Sequence, residues 1–149
     1  MSKSSINSVK IVGAGLIGTS IGLALRSNNP NIQIVMQDLD QNSQALAQSL
    51  VDHEQTKNLL KGKEDSSQQK FDLVVIAVPI NANVATVVEN LNANPESIVV
   101  DLASVKSNLL TGVEKLSETR ANFISLHPMA GREVGGAHSA RADLFINRA

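Results

Sequence analysis

Four side chains in the second half of this 149-residue chain are of types that could handle protons or anions: Ser104, Lys106, His127 and Arg132. An imidazole takes up a proton near neutrality, its ordinary pKa being about 6.5. His127 is therefore suited to receive the proton of a hydroxyl while a hydride leaves the same carbon. Ser104 could donate to, or orient, the same oxygen. Lys106 and Arg132 are candidate anchors for an anionic substrate. Each residue also fits a plainer role. A loop histidine is ordinarily a surface residue, Ser104 or Ser107 can cap a helix, and both cations can be solvated charges. His53, in a polar connector, and His138, in a tail rich in Gly, Ala and Arg, are weaker candidates.

What distinguishes the four is where they fall. Ala77-Val78-Pro79, the segment Asp101 to Ser107 and the segment His127 to Glu133 each follow an apolar run that reads as a buried strand. In open α/β sheets the chemistry sits outside the carboxyl ends of the strands. The elements that must do the positioning can be read in order. Val9 to Val12 is a short strand, and Leu16 to Ser27 a helix with Ile17, Ile21, Ala24 and Leu25 on one face. Ile32 to Gln37 is a second strand, and Asn42 is placed to cap a helix running to about Val51. Asp72 to Val78 is a continuous apolar run, as suits a parallel strand covered on both faces, and Pro79 stops it. Ala82 to Leu91 reads as helix, Ser97 to Leu102 as strand, and Ser107 to Leu116 as a helix with Leu109, Val113 and Leu116 inward. Asn122 to Leu126 is a last strand, and Gly136 to Leu144 a helical stretch in the tail. Residues 52–70 look like a polar surface connection, with one further short strand expected near His53 to Thr56. Strands alternating with helices predict an α/β fold of the Rossmann type. The expectation is one domain over 1–149, with a doubly wound, mostly parallel sheet and helices on both faces.

Gly13-Ala14-Gly15-Leu16-Ile17-Gly18 matches G-x-G-x-x-G in its required context, after a strand and before a helix. Gly13 permits the tight turn, Gly15 leaves room for a pyrophosphate at the backbone, and Gly18 lets the helix approach the sheet. The helix N-terminus, with Leu16 and Ile17 in its first turn, then offers N–H groups to the phosphates. Val78 and Pro79 supply an apolar flank for a nicotinamide ring. Asp38, twenty residues beyond Gly18, stands where a carboxylate accepts from ribose hydroxyls. Leu39 and Asp40 follow it. No arginine is there to neutralise a 2′-phosphate, so the pattern favours NAD over NADP. A glycine turn that binds no nucleotide, or one that binds a flavin, keeps the same spacing.

Composition narrows the class. Net charge is −1, which gives no electrostatic case for nucleic acid or an anionic membrane as partner. The absence of cysteine removes disulfides and thiolate chemistry, and no metal site is expected. The polar start, Met1 to Ser8, lacks the apolar core of a signal peptide, and no run is long enough to cross a bilayer. A cytoplasmic location is the expectation.

Together the segments VGAGLIGTSIGLAL (Val12 to Leu25), DLVVIAVP (Asp72 to Pro79), DLASVKS (Asp101 to Ser107) and HPMAGREVGGAHSARADLF (His127 to Phe145) resemble the prephenate dehydrogenase family. The resemblance covers nearly the whole chain, but only the nucleotide-binding half of the family's architecture. It implies NAD-dependent oxidative decarboxylation of prephenate to 4-hydroxyphenylpyruvate, on the route to tyrosine, or of its amino analogue arogenate. It implies that His127 helps remove the proton of the substrate hydroxyl, that Ser104 is its partner there, and that Asp38 takes the ribose role. Many relatives carry Thr or Ser where this chain has Arg132. The family's all-helical domain, which supplies a dimer interface and basic residues for the substrate carboxylates, is expected to lie outside these 149 residues. Full-length members are expected to be homodimers. The chain alone is expected to bind NAD and to turn prephenate over poorly.

Two other readings remain open on the residues. A dehydrogenase of the 3-hydroxyisobutyrate type shares the build but is not expected to carry the HPMAG segment in this form. A non-catalytic NAD-binding module would have no use for a Ser104/His127 pair.

Overall fold

Each strand is short and centred on apolar, mostly branched residues, and the paired registers place their side chains on two opposite faces. A computed structural model describes residues 5–52, 69–114 and 120–148. In it the strands are β1 (Ser8–Val12), β2 (Gln33–Gln37), β3 (Leu73–Ile76), β4 (Ile98–Asp101) and β5 (Phe123–Ser125). They form one parallel sheet in the order β2-β1-β3-β4-β5. Ile11 pairs with Met36 on one side and Val75 on the other, so the three align across the sheet.

Alternation along the strands sends Val9, Ile11, Ile34, Met36 and Val75 into one core cluster, with Ala47 and Val51 of α2 (Gln41–Val51). Val12, Val74, Ile76 and Val99 enter the other, with Val87 and Leu91 of α3 (Ile80–Ala93) and Leu109 and Val113 of α4 (Ser107–Glu114). Both faces of the sheet are therefore covered, which is the doubly wound α/β arrangement read from the sequence. Strand order reverses direction at β1, between β2 and β3. Crevices for ligands open at such switch points. Among the described residues no helix is long and apolar enough to cross a membrane.

The first helix, α1 (Leu16–Asn28), departs from its expected face. Its buried residues are Gly18, Thr19, Ser20, Gly22 and Arg26, while Ile21, Leu23 and Leu25 pack half-buried at the margin. Small residues win the centre because the neighbours come close: a Cβ on Gly22 would stand 2.6 Å from Val51 Cγ1. Helix α2 is capped by Asp40, not by Asn42. The Asp40 carboxylate accepts from the N–H groups of Asn42 and Ser43. Asp40 is the extended residue just before the helix, so its carboxylate stands where the first orphan donors are, whereas Asn42 already lies in the first turn.

The tail also differs. In place of a helix over Gly136 to Leu144 there is a single 3-10 turn, Ala137–Ser139. Gly136 sits at φ 86° and Ala140 is extended, so neither end can continue a helix. The turn nevertheless docks. Ala137 is buried against the α1/α2 core, and the Arg141 N–H donates to Ser20 Oγ on α1 at 3.0 Å. The strand expected near His53 to Thr56, and the Leu116 position, lie outside the described residues.

Candidate active site

The crevice begins with the glycine turn. The Gly13 N–H donates to Gln37 O at 2.8 Å, and the residue holds φ 106° close against Ala77, just past the end of β3. A Cβ there would lie 2.3 Å from Ala77 O, and one on Gly18 would lie 2.0 Å from Gly13 O. Both positions exclude side chains by contact. Gly15 is different. It is the N-cap of α1, no side chain caps the helix there, and a Cβ on it would meet nothing within 4 Å. The open space therefore lies directly over the positive end of α1, the arrangement that receives an anion.

Asp38 closes one side of this space. Its Oδ2 accepts from the Ala14 N–H at 2.7 Å and its Oδ1 from the Asp40 N–H at 2.9 Å. Gln44 Oε1 accepts from the Asp38 N–H at 3.0 Å, fixing the backbone from α2. The carboxylate stays half-exposed, with lone pairs left for a ligand's hydroxyls. Leu39 beside it is fully exposed. Asp40 accepts from Ser43 Oγ at 2.6 Å. The Ser43 side-chain and backbone donors, with the Asn42 N–H, hold its carboxyl below the ordinary value. A ligand carrying phosphates and vicinal hydroxyls fits this donor and acceptor set, and a 2′-phosphate would set its charge beside the Asp38 carboxylate.

Further along the strand ends a cleft of about 250 Å³ opens between Ile17, Val78, Ile80, Leu102, Ser104 and His127. The two candidate catalytic side chains, from different strand ends, thus share one cavity with the first turn of α1. Both are exposed to solvent. Leu16 and Pro79 are not among the residues of this wall. Leu16 is half-buried at the start of α1, and Pro79 is the N-cap position of α3.

Lys106 and Arg132 are engaged by the protein itself. Lys106 Nζ lies 2.6 Å from Asp101 Oδ2 and donates to Leu126 O at 2.6 Å. Its charge is spent on β4 and the end of β5. Arg132 is exposed, and one guanidinium N–H donates to Ser139 O at 2.7 Å. Asp101, which the motif reading passed over, is fully buried and meets four donors. One signal was present: an acid ending an otherwise apolar strand, in a fold that buries strands on both faces.

Residues 21–149 match the family profile described as the nucleotide-binding domain of prephenate dehydrogenase. The chain belongs to this family. The match starts beyond the glycine turn, so Gly13 to Gly18 stand on their own geometry. A prephenate dehydrogenase of Lactococcus lactis is 29% identical over 142 residues, which cover 93% of this chain and 38% of that protein. An arogenate dehydrogenase of Synechocystis superposes with a TM-score of 0.72 at 26% identity, over 95% of this chain and 48% of that one. The fold is shared with a prephenate dehydrogenase of A. aeolicus crystallised with hydroxyphenyl propionate and NAD+. Its TM-score is 0.77 at 21% identity, over 99% of this chain and 50% of that one. The chain thus spans half or less of the length of these family members.

Proposed function

We propose that this chain is the NAD-binding portion of a dehydrogenase that oxidatively decarboxylates prephenate, or its amino analogue arogenate. The observation that carries the reading is the convergence of Ser104 and His127 in one cleft with Ile17 of the glycine-turn helix and Val78 of β3's end. NAD, when bound, supplies the hydride acceptor. The chain's own residues do the rest. The turn at Gly13 to Gly18 and the N-terminus of α1 hold the pyrophosphate, and Asp38 takes the ribose hydroxyls. Leu16 and Ile17 lie in the first turn of that helix, while Val78 and Ile80 give the cleft an apolar side.

At the reacting carbon His127 accepts the hydroxyl proton as the hydride departs, and Ser104 orients the same oxygen. Loss of carbon dioxide then leaves an aromatic ring. The substrate's carboxylates need cations. Lys106 is already paired with Asp101, which leaves Arg132 as the cation of the HPMAGR segment able to exchange its Ser139 carbonyl for substrate. The family's helical portion is the natural source of further basic residues and of a homodimer interface, in a cytoplasmic enzyme.

The test is a single-turnover experiment at high protein concentration, following NADH fluorescence with prephenate and with arogenate. NADH formation that depends on one of these acids and disappears in His127→Gln supports the proposal. A folded chain without saturable NAD binding, or acid-dependent NADH formation that persists undiminished in His127→Gln, would overturn it.

A further inference from the structure

Behind the cleft, Asp101 is a carboxylate with no solvent access, at the last residue of β4. Its Oδ1 accepts from Asn83 Nδ2 at 2.6 Å and from the Ala103 N–H at 2.9 Å. Its Oδ2 accepts from Lys106 Nζ at 2.6 Å and from Ser125 Oγ at 3.1 Å. Its backbone carbonyl accepts from the Leu126 N–H at 2.8 Å, and Lys106 reaches across to Leu126 O. A buried carboxylate is tolerated only when it is paired and saturated with donors, and this one is.

The donors come from three places, and each leads to a different wall of the cleft. Ala103 and Lys106 bracket Ser104. Ser125 and Leu126 lead directly into His127. Asn83 stands one turn after Ile80 on α3. Asn83 is itself buried, and its Oδ1 is without a partner in the described structure. Its amide cannot turn over without setting oxygen against the Asp101 carboxylate. One carboxylate therefore fixes the relative placement of Ser104, His127 and Ile80.

We propose that Asp101, held by Asn83 and Lys106, is the positioning residue of the cleft, setting the distance between the Ser104 loop and the His127 strand end around the nicotinamide ring. This rests on the reading that NAD binds with its nicotinamide in that cleft. Among the described residues the adenosine side, built from Gly15 and Asp38, shares no hydrogen bond with the Asp101 group.

The experiment separates the two halves of the ligand. NAD and ADP-ribose, which lacks the nicotinamide, are titrated calorimetrically into the chain, into Asp101→Asn and into Lys106→Met. An amide at 101 can still accept from Asn83 and Ala103, but it turns Nδ2 toward the Lys106 ammonium. Donor then faces donor, and Lys106 must leave. Lys106→Met leaves the carboxylate with three donors and removes the ammonium's ties to both Asp101 and Leu126 O, so it carries the test should Asp101→Asn fail to fold. The expected result is an advantage of NAD over ADP-ribose in the wild type that shrinks about tenfold in the variants, with ADP-ribose affinity unchanged. Folded variants that keep the wild-type advantage overturn the proposal. Equal losses for both ligands also overturn it, because the role is then structural only. A wild type with ADP-ribose affinity but no nicotinamide advantage instead defeats the placement of the ring on which the inference rests.

Discussion

The Asp38 carboxylate accepts a 2.7 Å hydrogen bond from the backbone N–H of Ala14, so the acid at the end of β2 is tied to the middle of the glycine turn. The two parts of the fingerprint, 24 residues apart, form one rigid mouth. Asp38→Ala is expected to lower NAD affinity by about tenfold or more, since charge-assisted hydrogen bonds to ribose are lost. It should also narrow the preference for NAD over NADP, because the carboxylate that would repel a 2′-phosphate is gone. Calorimetric titration with both nucleotides measures this. An unchanged NAD affinity would remove Asp38 from the site.

The glycines of the turn should separate folding from binding. Gly18→Ala places a Cβ 2.0 Å from a backbone carbonyl oxygen, which cannot yield as a side chain can. The expected result is a protein with a strongly lowered melting temperature, or none that folds. Gly15→Ala adds a Cβ to empty space at φ −82°, so the melt should barely move. That methyl group occupies the path to the helix N-terminus, and NAD affinity should fall about tenfold or more. Equal NAD binding by Gly15→Ala and wild type would mean that no phosphate approaches there.

The sheet was legible because burial on both faces leaves an apolar run, unbroken in LVVI and ended by one acid in IVVD, and a glycine turn needs a strand before it. The glycine turn, Asp38 and the Ser104/His127 cleft were legible because strand ends converge in this fold. What the pattern hid has a physical cause in each case. The buried stripe of α1 is small and polar because the helix is close to its neighbours, so reading Ile21 and Leu25 as its centre misplaced the axis. Asp40 outcompetes Asn42 as cap through its position relative to the first free N–H groups, which no composition shows. Lys106 looks like a substrate anchor until Asp101 is known to be buried beside it. A single sequence does not reveal which acid a cation neutralises.

Acid should loosen the joint between the chain's start and β3. Asp72 Oδ2 accepts from the Asn7 N–H at 2.8 Å, the Ser8 N–H at 2.9 Å and Ser8 Oγ at 3.0 Å. The two backbone donors, with the Ser8 hydroxyl, lower its pKa below the ordinary 3.8. A carboxylate with a depressed folded value stabilises the fold at pH well above 3.8, and that contribution is lost as pH falls through the lower folded value. Asp40 is shifted in the same direction by Ser43 and Asn42. Melting temperature should therefore fall below about pH 4, and less steeply in Asp72→Asn, which starts from a lower plateau. Parallel pH profiles for wild type and variant would show that Asp72 contributes nothing to acid sensitivity.

Arg26 offers the largest expected effect on stability away from the cleft. It is 3% exposed on the last turns of α1, and its guanidinium donates to Val51 O and Pro30 O at 2.9 Å each and to Ile32 O. Those carbonyls belong to the end of α2 and the approach to β2. Asp52 stands 3.9 Å away as a distant counter-charge. Burial lowers the guanidinium pKa, with Asp52 opposing, but arginine stays charged at any working pH. Arg26→Leu preserves apolar bulk yet strands several carbonyl acceptors, at a cost of about 3 kcal/mol. Arg26→Lys should cost nearly as much, since one ammonium on a flexible stem cannot reproduce the fork that reaches separate carbonyls. Denaturant melts of the three proteins provide the comparison. A midpoint for Arg26→Leu matching wild type would mean that water satisfies these carbonyls, and that the guanidinium does not join α1 to α2 and β2.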